Sequence, residues 1–465
     1  MQLRKGLFMK KGSNERQWPA LPTTLKKVAV APDDSGYDTV RANYFRIGTP
    51  ALVIMAETKA QVAETIRFVA EARKVRGSQI PFSVRSGGHG ITTASVNNGG
   101  VVLDVSRMNK ITIVDKEKRL VRIQAGAVWG DVAKALDKYQ MVISSGDFGD
   151  TGVGGLATAG GIGLLVRETG LTIDHVIGAE LVTSNGECHW IDDKHKPNLF
   201  WAIRGGSSQV GVVTEFLFKA DRLAAPNGEG GTSVTVQKIK YSVTDLSSFV
   251  LEWQKYTNAS SRWLTSLLMI TADKNSDFVV DATNVWAGPE GAKMTASFKK
   301  MLMLGHIEDQ QQSTMKYAEL VKAPHEPHTG QQPVFVKNVL VKNFTGTIIN
   351  EIENMLKYDF TMGIELRAIG GKLNEVKTGA TAWDFREATG FLALWGDKDH
   401  PQELKKIFKV TEEEGLGVYG AYSSELSEQE NARAWPKEKT RTRLRKIMNE
   451  SDPEQLFDQG RSLNI

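Results

Sequence analysis

His89 closes the run Arg85-Ser86-Gly87-Gly88-His89-Gly90. Glycines on both sides remove the side chains that would cover an imidazole, so the ring faces whatever the loop cradles. A second run, Gly146 to Gly163, reads GDFGDTGVGGLATAGGIG. Its backbone N–H groups could line an anion-binding nest, the chemistry that holds a pyrophosphate. Within it, Gly152-Val153-Gly154-Gly155-Leu156-Ala157 fits G-x-G-x-x-G/A, and Asp174 follows about 20 residues past its middle glycine, the spacing of a dinucleotide-binding turn. Against that turn, Val142 to Asp150 reads as a short strand and a polar turn, and no clear βαβ unit follows. The glycines also continue through Gly160, Gly161 and Gly163, which suits a backbone wrapped around a pyrophosphate. A turn-rich β region that binds nothing is the plainer alternative.

Further along, Gly363, Glu365 and Arg367 alternate with Met362, Ile364 and Leu366. Period two puts Glu365 and Arg367 on one face of a strand, as a catalytic carboxylate beside a cation or as a surface ion pair. His325 and His328 flank Glu326 and Pro327 in a proline-rich loop. With no third ligand in view, a solvated loop is the reading, and no metal site is expected. Cys188 reads as a small buried hydrophobe. Lys437 to Lys446 holds six cations among ten residues, a solvated face or, more sharply, a phosphate contact.

The elements that must position these groups follow from apolar patterning. Ala51–Met55 reads as a strand, Thr58 as an N-cap and Lys59–Arg73 as a helix with Val62, Ile66 and Val69 on one side. Strand Ile80–Val84 then delivers the His89 loop, and this order is an α/β signature. Strands 100–105, 111–115 and 120–126, helix 128–139, a hairpin turning at Asn185-Gly186 and strand 210–218 complete the first half. Pro226 to Gly231 reads as a linker. Beyond it come strand 233–241, helix 245–257, strands 264–272 and 277–286, helix 290–304, strand 363–368, strand Gly417–Tyr422 and helix 427–448, broken at Pro436.

The chain has 465 residues, a net charge of +4, 24% charged and 41% hydrophobic residues, and one cysteine. That length suits two or three domains. The composition excludes a disordered or collagenous chain, the lone cysteine excludes an intrachain disulfide framework, and the weak charge gives nucleic acid no preference. Glycine is the outlier. Of 44 glycines, 21 lie between Arg85 and Glu215, under a third of the chain. No secretory signal and no membrane-spanning run is evident, so a cytoplasmic protein without membrane contact is expected.

Arg85 to Gly90, Val101-Val102-Leu103-Asp104, Thr151 to Gly155, Gly160 to Gly163, Gly170 to Asp174, Gly178 to Val182, Phe200 to Gly205, Gly211 to Glu215, Asp452-Pro453 and Asn464-Ile465 together resemble FAD-linked oxidases of the vanillyl-alcohol oxidase superfamily. The nearer likeness is to the berberine-bridge-enzyme-like group, which includes hydroxynicotine and oligosaccharide oxidases. The likeness covers residues 40–220 and 405–465 well and the middle poorly. It implies an α+β fold of the PCMH/VAO type, with an inserted substrate domain made of an antiparallel sheet flanked by helices. The implied division is 1–222 and 405–465 for FAD and 223–404 for substrate.

The resemblance further implies that FAD is held through an 8α bond to His89. Arg85, Ser86, Gly87, Gly88, Gly90, Gly146, Thr151, Gly152, Gly154, Gly155, Leu156, Gly160, Gly161, Gly163, Asp174, Gly211, Val213 and Asn464 would line its site. Phe148 stands where many relatives carry a second, cysteinyl link, and Cys188 lies too far along to replace it. A single link and a lower redox potential than in doubly linked relatives follow. Thr151 aligns with a position governing oxygen access, and its small size suits an oxidase. Leu156 replaces a histidine and makes the ring's surroundings less polar. Tyr422, the last residue of Tyr419-Gly420-Ala421-Tyr422, and Glu365 are the two candidate bases; Tyr422 would need a neighbour to lower its pKa.

The expected activity is hydride transfer from a C–H beside a hydroxyl or amine of a small, polyketide-like substrate, with molecular oxygen as the final acceptor. Trp253, Tyr256, Trp263 and Trp286 suggest an aromatic substrate region. The alternatives are an oligosaccharide or amine oxidase and a flavin-carrying binding protein without turnover. A monomer or homodimer is expected.

Overall fold

The computed structural model describes residues 18–76, 80–206, 209–224, 231–272, 277–321 and 328–463. The N-terminal apolar run, the linker up to Gly230, His325 and Asn464 lie outside the described residues.

Among the described residues, three sheets carry the fold. In the first, Leu52–Met55, Val101–Asp104 and Phe82–Arg85 pair in parallel, with Ala29–Val30 antiparallel on one edge. Leu52–Met55 and Val101–Asp104 are buried at every position, as strands covered on both faces must be. One cover is helix Lys59–Arg76, whose Val62, Ile66 and Val69 are wholly buried. The second sheet is antiparallel, in the order 111–115, 120–124, 212–219, 176–182, 188–191. One apolar core joins these two sheets and takes in Trp435, Leu444, Leu456 and Phe457 from the end of the chain. The C-terminal segment therefore packs with residues some three hundred positions earlier.

The third sheet has seven strands, all paired antiparallel, in the order 306–316, 233–243, 278–286, 264–272, 361–368, 390–397, 334–341. Helices Leu246–Ala259, Ala292–Met301, Gly346–Met355 and Pro401–Glu414 contribute to the core on one face. Ile364 and Leu366 point into that core, so the alternation of the strand sends Glu365 and Arg367 to the other face. The parallel βαβ start and the seven-strand antiparallel sheet together make the expected α+β, PCMH/VAO-type fold.

Four local expectations change. Gly417–Tyr422 is not a strand but a bend ending in a 3-10 turn at Gly420–Tyr422. The Asn338 side chain takes the place of a strand partner: it accepts from the Tyr419 N–H at 2.8 Å and donates to the Tyr419 carbonyl at 3.1 Å. The glycine run is not one continuous loop, because Val153–Ala159 forms a short helix within it. Cys188 is exposed, since its strand is an edge of the second sheet. Trp253 and Trp286 are buried in the helix-side core of the third sheet, with Tyr256 and Trp263 packed against it. Packing on that face, rather than substrate contact, accounts for those four rings.

Candidate active site

A cavity of about 620 Å³ opens where the loops of the first two sheets meet the polar face of the third. Ser86 to Gly90, Gly146, Thr151, Gly152, Gly154, Gly155, Leu156, Val213 and Tyr422 all line it. The His89 loop follows directly from strand Phe82–Arg85, so the sheet fixes where the histidine emerges. Its glycines have distinct tasks. A Cβ on Gly152 would lie 2.2 Å from the Gly87 nitrogen, and one on Gly87 2.5 Å from the Gly152 nitrogen. Only two glycines let these loops touch backbone to backbone. The Ser86 hydroxyl fastens the junction, donating to the Ala125 carbonyl at 2.6 Å and accepting from the Gly154 N–H at 3.3 Å. Gly155 has nothing within 4 Å of its would-be Cβ, so any side chain there would project into the open space of the cavity.

The His89 ring lies flat against Tyr44, with centroids 4.5 Å apart, and Phe148 packs 4.9 Å away. Burial, reinforced by His328, pushes its pKa down to about 4. The imidazole is therefore neutral at pH 7, and its Nε2 is buried with no hydrogen-bond partner.

Across the cavity the electrostatics reverse. The Tyr422 hydroxyl donates to Glu365 Oε2 at 3.1 Å. Arg367 donates to Glu365 Oε1 through Nη2 at 2.6 Å and Nε at 3.1 Å, and through Nη2 to Asp147 Oδ2 at 2.5 Å. Glu365 and Arg367 are each 3% exposed. They do form an ion pair, but a buried one. Burial works against the Arg367 charge, yet Asp147 and Glu365 more than offset it and hold its pKa above the ordinary value. Burial raises the Asp147 carboxyl. Burial and the adjacent Glu365 raise the Tyr422 phenol well above its usual range. This corrects the expectation of a lowered tyrosine pKa: the neighbour is a carboxylate, which disfavours a phenolate.

Several expected cofactor residues lie off the cavity wall, because their groups are already used in packing. Gly160 abuts the Tyr419 ring, a Cβ on Gly161 would lie 2.1 Å from Thr172 Oγ1, and one on Gly163 would lie 1.5 Å from the Ser145 carbonyl. Gly211 is similarly tight against Val182. Asp174 accepts two bonds from Arg386, at 2.6 and 2.8 Å, and one from the Leu171 N–H, so its carboxylate is already engaged within the fold. Gly152 starts the seven-residue helix after a bridge to Val128, without the strand a dinucleotide turn requires. Arg85 turns away, paired with Asp104 at 2.5 Å and donating to the carbonyls of Ala42 and Val40. In the basic run, Lys437 binds Asp384, Arg441 the carbonyls of Trp435 and Pro436, and Arg445 that of Leu463. These three cations hold the fold rather than a phosphate.

Other site residues escaped sequence reasoning. Asp147 lies inside the glycine run, where an acid among small residues was the available signal. Tyr44 and Trp395 gave none. His328, in a loop whose composition suggests solvent, instead places its ring 5.7 Å from that of His89.

The orphaned Nε2 of a neutral histidine, the open wall at Gly155 and the cavity's volume suit a bound flavin. Comparison with known proteins agrees. Residues 50–192 match the FAD binding domain family. An uncharacterised FAD-linked oxidoreductase of Bacillus subtilis (strain 168) is 26% identical over 458 residues, covering 94% of this chain and 96% of the relative. The (R)-6-hydroxynicotine oxidase of Paenarthrobacter nicotinovorans is 36% identical over 199 residues, 42% of each chain. Among solved structures, 6-hydroxy-D-nicotine oxidase from Arthrobacter nicotinovorans superposes with a TM-score of 0.78 at 23% identity, covering 94% of this chain and 97% of that one. Xylooligosaccharide oxidase from Myceliophthora thermophila C1 gives 0.81 at 20% identity, over 95% and 98%. The chain is thus an FAD-dependent oxidoreductase that carries an FAD binding domain over residues 50–192 and shares its fold with these solved oxidases.

Proposed function

We propose that this oxidase carries FAD on a single covalent bond to His89 and removes a hydride from a carbon bearing a hydroxyl or amine in a small, natural-product-like molecule. The observation that carries this reading is one cavity with a neutral, unpartnered histidine on one wall and a tyrosine–glutamate pair on the other. Phe148, at the position of a second link, lines the same wall and supports single attachment. FAD, when bound, supplies the two-electron acceptor. The protein supplies orientation and a route for one proton.

Tyr422 lines the cavity, whereas Glu365 stands behind it. Because the phenol resists ionisation, Tyr422 acts as a relay: it accepts the substrate's O–H or N–H proton as its own passes to Glu365 Oε2. Arg367 keeps that carboxylate oriented through two hydrogen bonds to Oε1. Phe391 and Trp395 stand edge-on to Tyr422, each 5.4 Å away, and hold its ring. Small Thr151 leaves the wall open for molecular oxygen as final acceptor. The division into 1–222 and 405–465 for FAD and 223–404 for substrate belongs to the same reading. The shared core of the first two sheets with the C-terminal segment supports it.

An oligosaccharide substrate keeps one observation in its favour. Trp383 and Trp395 line the cavity with buried indole N–H groups that lack a partner, which sugar hydroxyls could satisfy. Anaerobic mixing with aromatic alcohols, amines and short oligosaccharides separates the two. The substrate class bleaches the flavin absorbance, and air then releases hydrogen peroxide. If no class does so, the proposed activity is wrong.

A further inference from the structure

His328 reaches the flavin side of the molecule from the segment that leads into strand Val334–Val341 of the seven-stranded sheet. That segment is fastened down. The Gly330 N–H donates to the Asn43 carbonyl at 2.9 Å, the Gln332 N–H to Tyr44 at 3.1 Å, and the Tyr44 N–H to Gly88 at 2.8 Å. His328 then closes the circuit with Nε2 2.8 Å from the Gly87 carbonyl. A carbonyl can only accept, so Nε2 carries the hydrogen and the ring is the Nε2–H tautomer. Gly88 makes room for it, because a Cβ there would lie 3.0 Å from His328 Cδ2. Tyr44 spans both histidines, flat on His89 and edge-on to His328 at 5.4 Å.

Notably, His328 does not line the cavity that His89 faces. It lines a separate space of about 500 Å³ behind the loop, with Arg85 and Asp104. It therefore acts on the loop and not on a ligand in front of it.

We propose that His328 is a positioning residue for the flavin link: its Nε2–H, bonded to Gly87, sets the glycine loop so that the His89 imidazole is presented for attachment. The inference rests on His89 being the anchor. Forming the link replaces one imidazole N–H and one C–H of the flavin's 8-methyl group with a C–N bond. The two electrons and two protons released pass to molecular oxygen, giving hydrogen peroxide. His328 neither donates nor takes any of these; it supplies geometry.

The test compares wild type, His89→Ala, His328→Phe and His328→Gln, each prepared without flavin and then given FAD in air. The readout is the FAD that stays with the polypeptide after acid denaturation, followed over time, and the mass of the peptide containing His89. His328→Phe keeps a ring against Tyr44 but loses the donor. It should link about tenfold more slowly, the rate equivalent of one hydrogen bond. His328→Gln keeps an N–H donor and should link within about threefold of wild type. Circular dichroism and reversible FAD binding report folding. A folded His328→Phe that links at the wild-type rate overturns the proposal, and so does a folded His328→Gln as slow as His328→Phe. Absence of adduct on the wild-type peptide would instead strike the His89 assignment, and this inference with it.

Discussion

The two walls of one cavity hold their reactive groups by opposite means. At His89 the protein uses rings and burial, with Tyr44, Phe148 and His328 around an imidazole whose pKa falls to about 4. At Tyr422 it uses charge, with Glu365, Arg367 and Asp147 joined by ion pairs. Both walls are buried, so burial alone does not decide which form of a group survives. A histidine loses its charge because neutrality costs it little. On the other wall the Arg367 guanidinium lies between two carboxylates, which hold it in its charged form despite burial. The first wall suits a nucleophile that must be unprotonated, the second a proton relay whose far end is anchored by a cation.

Breaking the first wall should abolish attachment altogether. His89→Ala is expected to carry no FAD through acid denaturation, as mass spectrometry of the peptide would show. Breaking the second should leave attachment intact and stop chemistry. Tyr422→Phe should lower turnover by about a hundredfold to ten-thousandfold, the range of general acid–base contributions, with unchanged covalent FAD. Wild-type turnover in that variant would remove Tyr422 from the mechanism.

Arg367→Met tests the claim that charge holds the second wall. Leaving Glu365 and Asp147 buried without their cation should cost about 3–5 kcal/mol of stability, read by urea unfolding of the folded variant. A loss near zero would mean the three groups are independent. pH separates the walls again. His89 in the folded, flavin-free chain takes a proton only near pH 4, whereas its ordinary value is 6.5. Unfolding therefore takes up a proton between those values, so His89 contributes full stability above pH 6.5 and loses it progressively toward pH 4. Melting temperatures of His89→Asn should fall less steeply over that window than those of wild type. The smallest effect is expected at Phe148, which is 39% exposed. Phe148→Ala should cost about 1 kcal/mol, the scale of an aromatic contact beyond its buried area.

Much of the first wall was legible beforehand. Arg85 to Gly90 and Thr151 to Gly155 are contiguous in sequence, and local glycine chemistry dictates how such loops run. The second wall was half legible. Alternation placed Glu365 and Arg367 on one face, but whether that face met water or protein is not a property of the strand. Tyr422 was found through the resemblance, although its segment is a turn bound to Asn338 and not a strand.

The sequence by itself determined that one loop exposes a histidine between glycines and that a second glycine run must approach something closely. Those features depend on neighbours within a few residues. Only the tertiary structure decided that Gly152 is spent on Gly87, that Asp174 belongs to Arg386, that Asp147 completes the charged wall and that His328 stands behind His89. The pairs lie 65, 212, 220 and 239 positions apart, the second and third bridged by hydrogen bonds. Long-range packing sets which polar groups are already satisfied, and the ones left over are what a site can use.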